Sequence, residues 1–122
     1  MRNGVRLLIV DDDDSIREII KVMLKDYEIV EASNGFEAVR IYDRMRPDMV
    51  LMDISMPQMD GVEATKEILK IDPKAKIIGL TAFARSRGKE MLANGALEVV
   101  EKPFTRKKLK DLIEKYVASA VA

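Results

Sequence analysis

Short apolar runs alternate with helical periodicities along the whole chain, and that alternation leaves few folds open. Residues 7–10, 49–52, 77–80 and 97–100 are rich in Val, Ile, Leu and Met, and residues 27–32 form a weaker alternating run. Runs this short suit strands buried on both faces of a parallel sheet. Between them, Ile16, Ile19, Ile20, Met23 and Leu24 recur at helical spacing, as do Ala38, Ile41, Tyr42 and Met45. Val62, Thr65, Ile68 and Leu69 repeat the pattern, and so do Leu109, Leu112, Ile113, Tyr116 and Val117. Residues 86–94 offer only Met91 and Leu92 together and predict the weakest helix. The expectation is an α/β fold in one domain spanning residues 1–122: five βα repeats, a single parallel sheet, and helices on both faces.

Punctuation between the elements is ordinary. Asp14 is expected to N-cap the first helix and Thr105 the last. Asn34-Gly35, Asp60-Gly61, Asp72-Pro73 and Asn94-Gly95 mark turns. With 48% apolar residues, 34% charged residues and no net charge, the chain reads as globular and soluble. No global field favours nucleic acid or a membrane, and no run of 18 apolar residues or basic-then-apolar leader is present, so a cytoplasmic location is expected. The chain contains neither cysteine nor histidine. That excludes thiol chemistry, zinc-thiolate and histidine metal sites, a Ser-His-Asp triad and an internal phosphohistidine. Carboxylates, hydroxyls, Lys, Arg and backbone groups must do the work.

In a parallel α/β sheet the working site lies at the carboxyl ends of the strands, where strand order reverses. Just past the apolar runs stand Asp11 and Asp12, then Asp53, Thr81 and Lys102. Three carboxylates, a hydroxyl and an ammonium in one crevice suit a hard divalent cation together with a phosphoryl group. Asp11 opens a run of four aspartates, Asp11 to Asp14. Close like charges there repel by about 4 kcal/mol per pair at a surface-like dielectric. Asp11 and Asp12 are read as functional, Asp14 as a cap and Asp13 as a solvated residue at the rim.

The stretches VDDDDSIR, MVLMDISMPQMDG, GLTA and EKPF, in this order and spacing, resemble the receiver domain of bacterial and archaeal response regulators. The resemblance covers essentially the whole chain. It implies a flavodoxin-like doubly wound sheet with strand order 2-1-3-4-5. It also implies that Asp53 accepts a phosphoryl group from a histidine on a partner, either a histidine kinase or a histidine phosphotransfer protein. Mg²⁺ (or Mn²⁺) would be held by Asp12 directly, by Asp11 largely through water, and by Asp53 and the Ser55 carbonyl. Lys102 would pair with the phosphoryl group, Thr81 would turn inwards to bond it, and the Ala82 N–H would reach it. Pro103 is expected to follow a cis peptide that aims Lys102. Gly61 is expected to supply a positive-φ turn after the phosphorylation loop.

Two positions depart from the family pattern. Val99 stands where an aromatic ring commonly swings with the threonine, and a β-branched side chain has little rotamer freedom. Phe83 cannot orient an attacking water, which predicts a longer-lived acyl phosphate than in Phe83→Glu. From Glu101 to Lys115, Lys102, Arg106, Lys107, Lys108, Lys110 and Lys115 outnumber Glu101, Asp111 and Glu114. Arg85, Arg87 and Lys89 join that side if the fourth helix lies beside the fifth. A solvated face is the plain reading. The family's use of the surface formed by helix four, strand five and helix five implies a protein target, without direct nucleic-acid or membrane contact. Two other functions compete. Asp11-x-Asp13-x-Ser15 approaches the nucleophile motif of haloacid dehalogenase-like phosphohydrolases, with Asp11 as nucleophile, and a scaffold receiver would keep the fold without being phosphorylated.

Overall fold

The five apolar runs form strands β1 (Arg6–Val10), β2 (Glu28–Ala32), β3 (Met49–Asp53), β4 (Ile77–Thr81) and β5 (Glu98–Glu101). Helices α1 (Asp14–Met23), α2 (Gly35–Met45), α3 (Gly61–Ile71), α4 (Ala84–Ala93) and α5 (Arg106–Val121) alternate with them. These assignments come from a computed structural model, which describes the backbone of residues 4–82 and 84–121 and the side chains of residues 4–82 and 87–117. All strand pairs are parallel, in the order β2-β1-β3-β4-β5 expected of the flavodoxin-like arrangement. Asp53 and Thr81 prove to be the last residues of their strands rather than the first beyond them.

Alternate residues of each strand feed two separate cores. Leu8, Val10, Val50, Met52 and Ile77 pack with Ala38, Tyr42, Ala64, Ile68 and Met91 from α2, α3 and α4. Leu7, Ile9, Met49, Leu51, Ile78 and Leu80 pack with Ile20 of α1, Leu24 at its C-terminal cap, and Leu109, Ile113 and Val117 of α5. Each such side chain, fully buried, contributes roughly 1.5–3 kcal/mol. Both faces being covered explains why β1, β3 and β4 read as continuous apolar runs. At the sheet edge, β2 is only partly buried, which is why its pattern alternates. Register pairs Val10 with Met52, Asp53 with Leu80 and Thr81 with Glu101. Those strands therefore end together, and the order reverses between β1 and β3. The crevice opens there.

Several local expectations need correction. The N-cap of α1 is Asp13, whose Oδ1 accepts from the Ser15 and Ile16 N–H groups at 2.8 and 3.4 Å. Asp14 is instead the first helical residue, drawn into an ion pair with Arg17. Thr105 does cap α5, accepting from the Lys108 N–H at 3.1 Å. Asn34 and Asp60 cap α2 and α3 through the N–H groups of Glu37 and Glu63. Gly61 does not have positive φ; that conformation falls to Gln58 in the same loop. A Cβ at Gly61 would lie 2.3 Å from the Asp53 carbonyl oxygen and 2.8 Å from Ile54 Cα. Glycine is needed because the start of α3 presses against the end of β3.

Much of the basic charge on and near α5 is paired. Helices α4 and α5 pack on opposite faces of the sheet. Arg87 turns towards α3, bonding Asp60 Oδ2 at 2.9 Å and Glu90 at 3.0 Å. Lys107 pairs with Asp111, Lys110 and Arg106 with Asp26, and Lys115 with Glu98. Arg85 and Phe83 lie outside the side chains described.

Candidate functional site

Asp11, Asp12 and Asp53 each bring one carboxylate oxygen into a cluster in which all three lie within 4.8 Å of one another. Asp11 and Asp53 are buried, 1% and 6% exposed, because each stands where an apolar strand ends between two helix-covered faces. Asp12 is exposed on the loop into α1. Lys102 reaches in from the end of β5, with Nζ at 3.2 Å from Asp11 Oδ2 and 3.3 Å from Asp53 Oδ1. Its own N–H donates to the Thr81 carbonyl at 2.7 Å, which ties the β5 end to the β4 end, and its peptide bond to Pro103 is cis. Asp11 Oδ1 accepts the Asp13 N–H at 2.9 Å.

The remaining residues singled out from the sequence surround this cluster. Thr81 is buried at the end of β4, and Ala82 follows it, exposed. Ser55 is exposed in the loop after β3. Val99 faces inward from β5 and packs on the core shared with α2, α3 and α4, opposite Gly79 of β4. Sequence reasoning passed over Arg17 beside the acidic loop, although its spacing of three from Asp14 is a helix ion-pair signal. It also passed over Glu31, the second carboxylate on Arg17.

Burial, and then the neighbouring charge of Asp11, push the Asp53 carboxyl up to about 6, while Lys102 pulls the other way and Asp12 adds a little. Burial would lower Lys102, but Asp53 and Asp11 override it and hold the ammonium above its ordinary range. One ammonium facing three carboxylates leaves a surplus of negative charge. An all-oxygen donor set carrying that surplus fits a hard cation such as Mg²⁺, which binds through a few carboxylates and completes its shell with water and phosphate oxygens.

The model of the response regulator receiver domain matches residues 7–114 of this chain. The chain belongs to the response regulator receiver domain family. The chemotaxis protein CheY of Listeria monocytogenes is 42% identical over 115 residues, covering 91% of this chain and 97% of that protein. Among solved structures, the receiver domain of the sensor histidine kinase PA1611 from Pseudomonas aeruginosa has a magnesium ion coordinated in its active-site cleft. It aligns with a TM-score of 0.89 at 32% identity, covering 94% of this chain and 98% of that one. CheY from Borrelia burgdorferi, in a complex with CheX, BeF₃ and Mg²⁺, aligns with a TM-score of 0.85 at 29% identity, covering 91% and 87%.

This receiver domain therefore carries the strand-end cluster of a two-component phosphoacceptor, and the phosphohydrolase reading with Asp11 as nucleophile is set aside. No helix among the described residues is long and apolar enough to cross a membrane.

Proposed function

We propose that Asp53 accepts a phosphoryl group from a phosphohistidine on a histidine kinase or histidine phosphotransfer protein. The observation that carries this reading is the placement of Asp53. It is buried at the carboxyl end of β3, bonded to Lys102 and clustered with the Asp11 and Asp12 carboxylates. With its carboxyl pushed up only to about 6, Asp53 is ionised above neutrality and nucleophilic. One of its oxygens forms a bond to phosphorus as the N–P bond of the donor breaks. The electron pair leaves with the imidazole nitrogen, which takes up a proton. The donor histidine must come from the partner, since this chain has none.

Asp11, Asp12, Asp53 and the Ser55 carbonyl would hold Mg²⁺ (or Mn²⁺), which when bound neutralises the charge on the transferring oxygens. The chain's own residues do the rest. Lys102 pairs with a phosphoryl oxygen, the Thr81 hydroxyl and the Ala82 N–H bond the others, and the rigid strand ends hold nucleophile and donor in line. The chain thereby promotes its own phosphorylation and dephosphorylation rather than turning over a separate substrate. Phe83 slows hydrolysis by offering no hydrogen bond to water. Residues 1–122 act as one receiver unit, which passes its signal to a protein target through the surface of α4, β5 and α5, in the cytoplasm.

The test is intact mass after incubation with Mg²⁺ and a small-molecule phosphodonor, for wild type and Asp53→Asn side by side. A gain of one phosphoryl group in wild type and none in the variant is expected. No gain in either, with Mg²⁺ binding demonstrated, favours the scaffold reading. A gain that survives in Asp53→Asn but is abolished in Asp11→Asn overturns the assignment of the nucleophile.

A further inference from the structure

A largely buried guanidinium beside the acidic loop has no part in the chemistry above. The Arg17 side chain is only 13% exposed. Its Nη1 donates to the Asp11 carbonyl at 2.5 Å and its Nε to Glu31 Oε1 at 3.0 Å, while Nη2 bonds Asp14. Glu31 is gripped on its other oxygen by Lys21 Nζ at 2.9 Å. The bond from Lys21, and then that from Arg17, hold the Glu31 carboxyl below its ordinary range against the pull of burial. An ionised Glu31 on β2 thus holds the Nε of an arginine on α1 whose Nη1 reaches the Asp11 peptide oxygen.

That oxygen belongs to the peptide joining Asp11 to Asp12. A peptide unit is planar, so fixing its oxygen restricts the direction in which the chain leaves towards Asp12. The Asp11 N–H already donates to the Ala32 carbonyl at 3.2 Å, so both sides of Asp11 are anchored to β2 or its partners. We propose that Arg17 is a positioning residue that sets the Asp11–Asp12 peptide so that both carboxylates meet an incoming divalent cation together with Asp53. The proposal rests on the Mg²⁺-dependent phosphoacceptor reading.

Electrostatics and positioning make opposite demands here. Arg17 is a positive charge near a cation site, so charge alone says that its removal tightens Mg²⁺ binding. Positioning says that removal loosens it, because the carboxylates lose their preset geometry. A merely structural role lowers stability and leaves affinity alone.

The measurement is Mg²⁺ titration of the full chain, followed by the amide NMR shifts of Asp11, Asp12 and Asp53, with urea unfolding in parallel. Arg17→Gln is expected to weaken Mg²⁺ binding about 10-fold, the scale of losing a group that orients metal ligands. Arg17→Lys, which keeps the charge but cannot bond the carbonyl and Glu31 as a fork, falls between wild type and Arg17→Gln. Glu31→Gln, which keeps the Arg17 charge and loosens its aim, weakens binding in the same direction. If Arg17→Gln does not fold, Arg17→Lys, which leaves the charge unchanged, decides alone. Unchanged or tighter Mg²⁺ binding in the variants, while wild type binds Mg²⁺ and is phosphorylated on Asp53, overturns the positioning role and leaves the phosphoacceptor reading standing. A wild-type chain that binds no Mg²⁺ overturns both.

Discussion

Asp53→Asn should stabilise the metal-free protein, and the size of the effect can be worked from its surroundings. Burial and Asp11 raise the folded-state carboxyl from an ordinary 3.8 to about 6. Between those values the native state binds more protons than the unfolded chain, so stability falls as pH rises. Below about pH 4 the carboxyl is protonated in both states and the penalty is absent. Above about pH 6 it is complete. A shift of roughly two pH units at about 1.4 kcal/mol each amounts to about 3 kcal/mol. Asparagine keeps the size and removes the ionisation, and Lys102 retains Asp11 at 3.2 Å. In chelator, urea unfolding near pH 7.5 should therefore show Asp53→Asn more stable by about 2–3 kcal/mol. The advantage should shrink towards zero as pH is lowered to about 4. Mg²⁺ at a hundred times its Kd would return about 2.7 kcal/mol to the wild type and close most of the gap at neutral pH. An advantage equal at both ends of the pH range, or no advantage near pH 7.5, would show that Asp53 is not destabilised by its own charge.

Five substitutions probe the local structure around the site. Gly61→Ala should cost at least about 2 kcal/mol in urea unfolding, towards the upper range for overpacking, because its Cβ would meet the rigid backbone of Asp53 and Ile54. Gly79→Ala should cost less than about 1 kcal/mol, since the nearest atom, Met91 Cε at 3.0 Å, ends a flexible side chain. Equal costs would contradict the close-approach account of Gly61. Asp13→Ala should lose about 1 kcal/mol with the cap of α1, whereas Asp13→Asn, which keeps the capping oxygen, should lose little. Asp14→Ala should stay within about 0.5 kcal/mol of wild type, its side chain being 87% exposed in its pair with Arg17.

Strands β1, β3 and β4 were legible because each is buried on both faces, a condition that writes itself into a chain as an uninterrupted apolar run. Their polar last residues were not, since the ladder continues through Asp53 and Thr81 after the apolar signal has stopped. The three carboxylates and Lys102 could be grouped from sequence because strand ends converge in any parallel sheet with this connectivity. Asp13 and Asp14 are both chemically able to cap, and the backbone and a local ion pair separate them. Asp14 is already helical and pairs with Arg17 one turn on, while Asp13 has the extended conformation a cap requires. Gly61 was assigned the wrong need, because a tight turn and a close backbone approach both ask for glycine. Near α5, composition counts charges but does not reveal their partners: Asp26, more than eighty residues away in sequence, takes up Lys110.

Four consecutive aspartates can share one loop because the fold gives each a different destination. Asp11 is buried, with one oxygen on the Asp13 N–H and the other on Lys102. Asp13 turns back on the first N–H groups of α1, where the helix dipole favours an anion. Asp14 lies on the outer surface against Arg17, the same guanidinium that holds the Asp11 carbonyl. Asp12 alone remains exposed with its oxygen beside those of Asp11 and Asp53. The repulsion in the run is therefore relieved at three of its members by groups the chain supplies, and the relief still missing falls at the point where an incoming cation would meet the nucleophile.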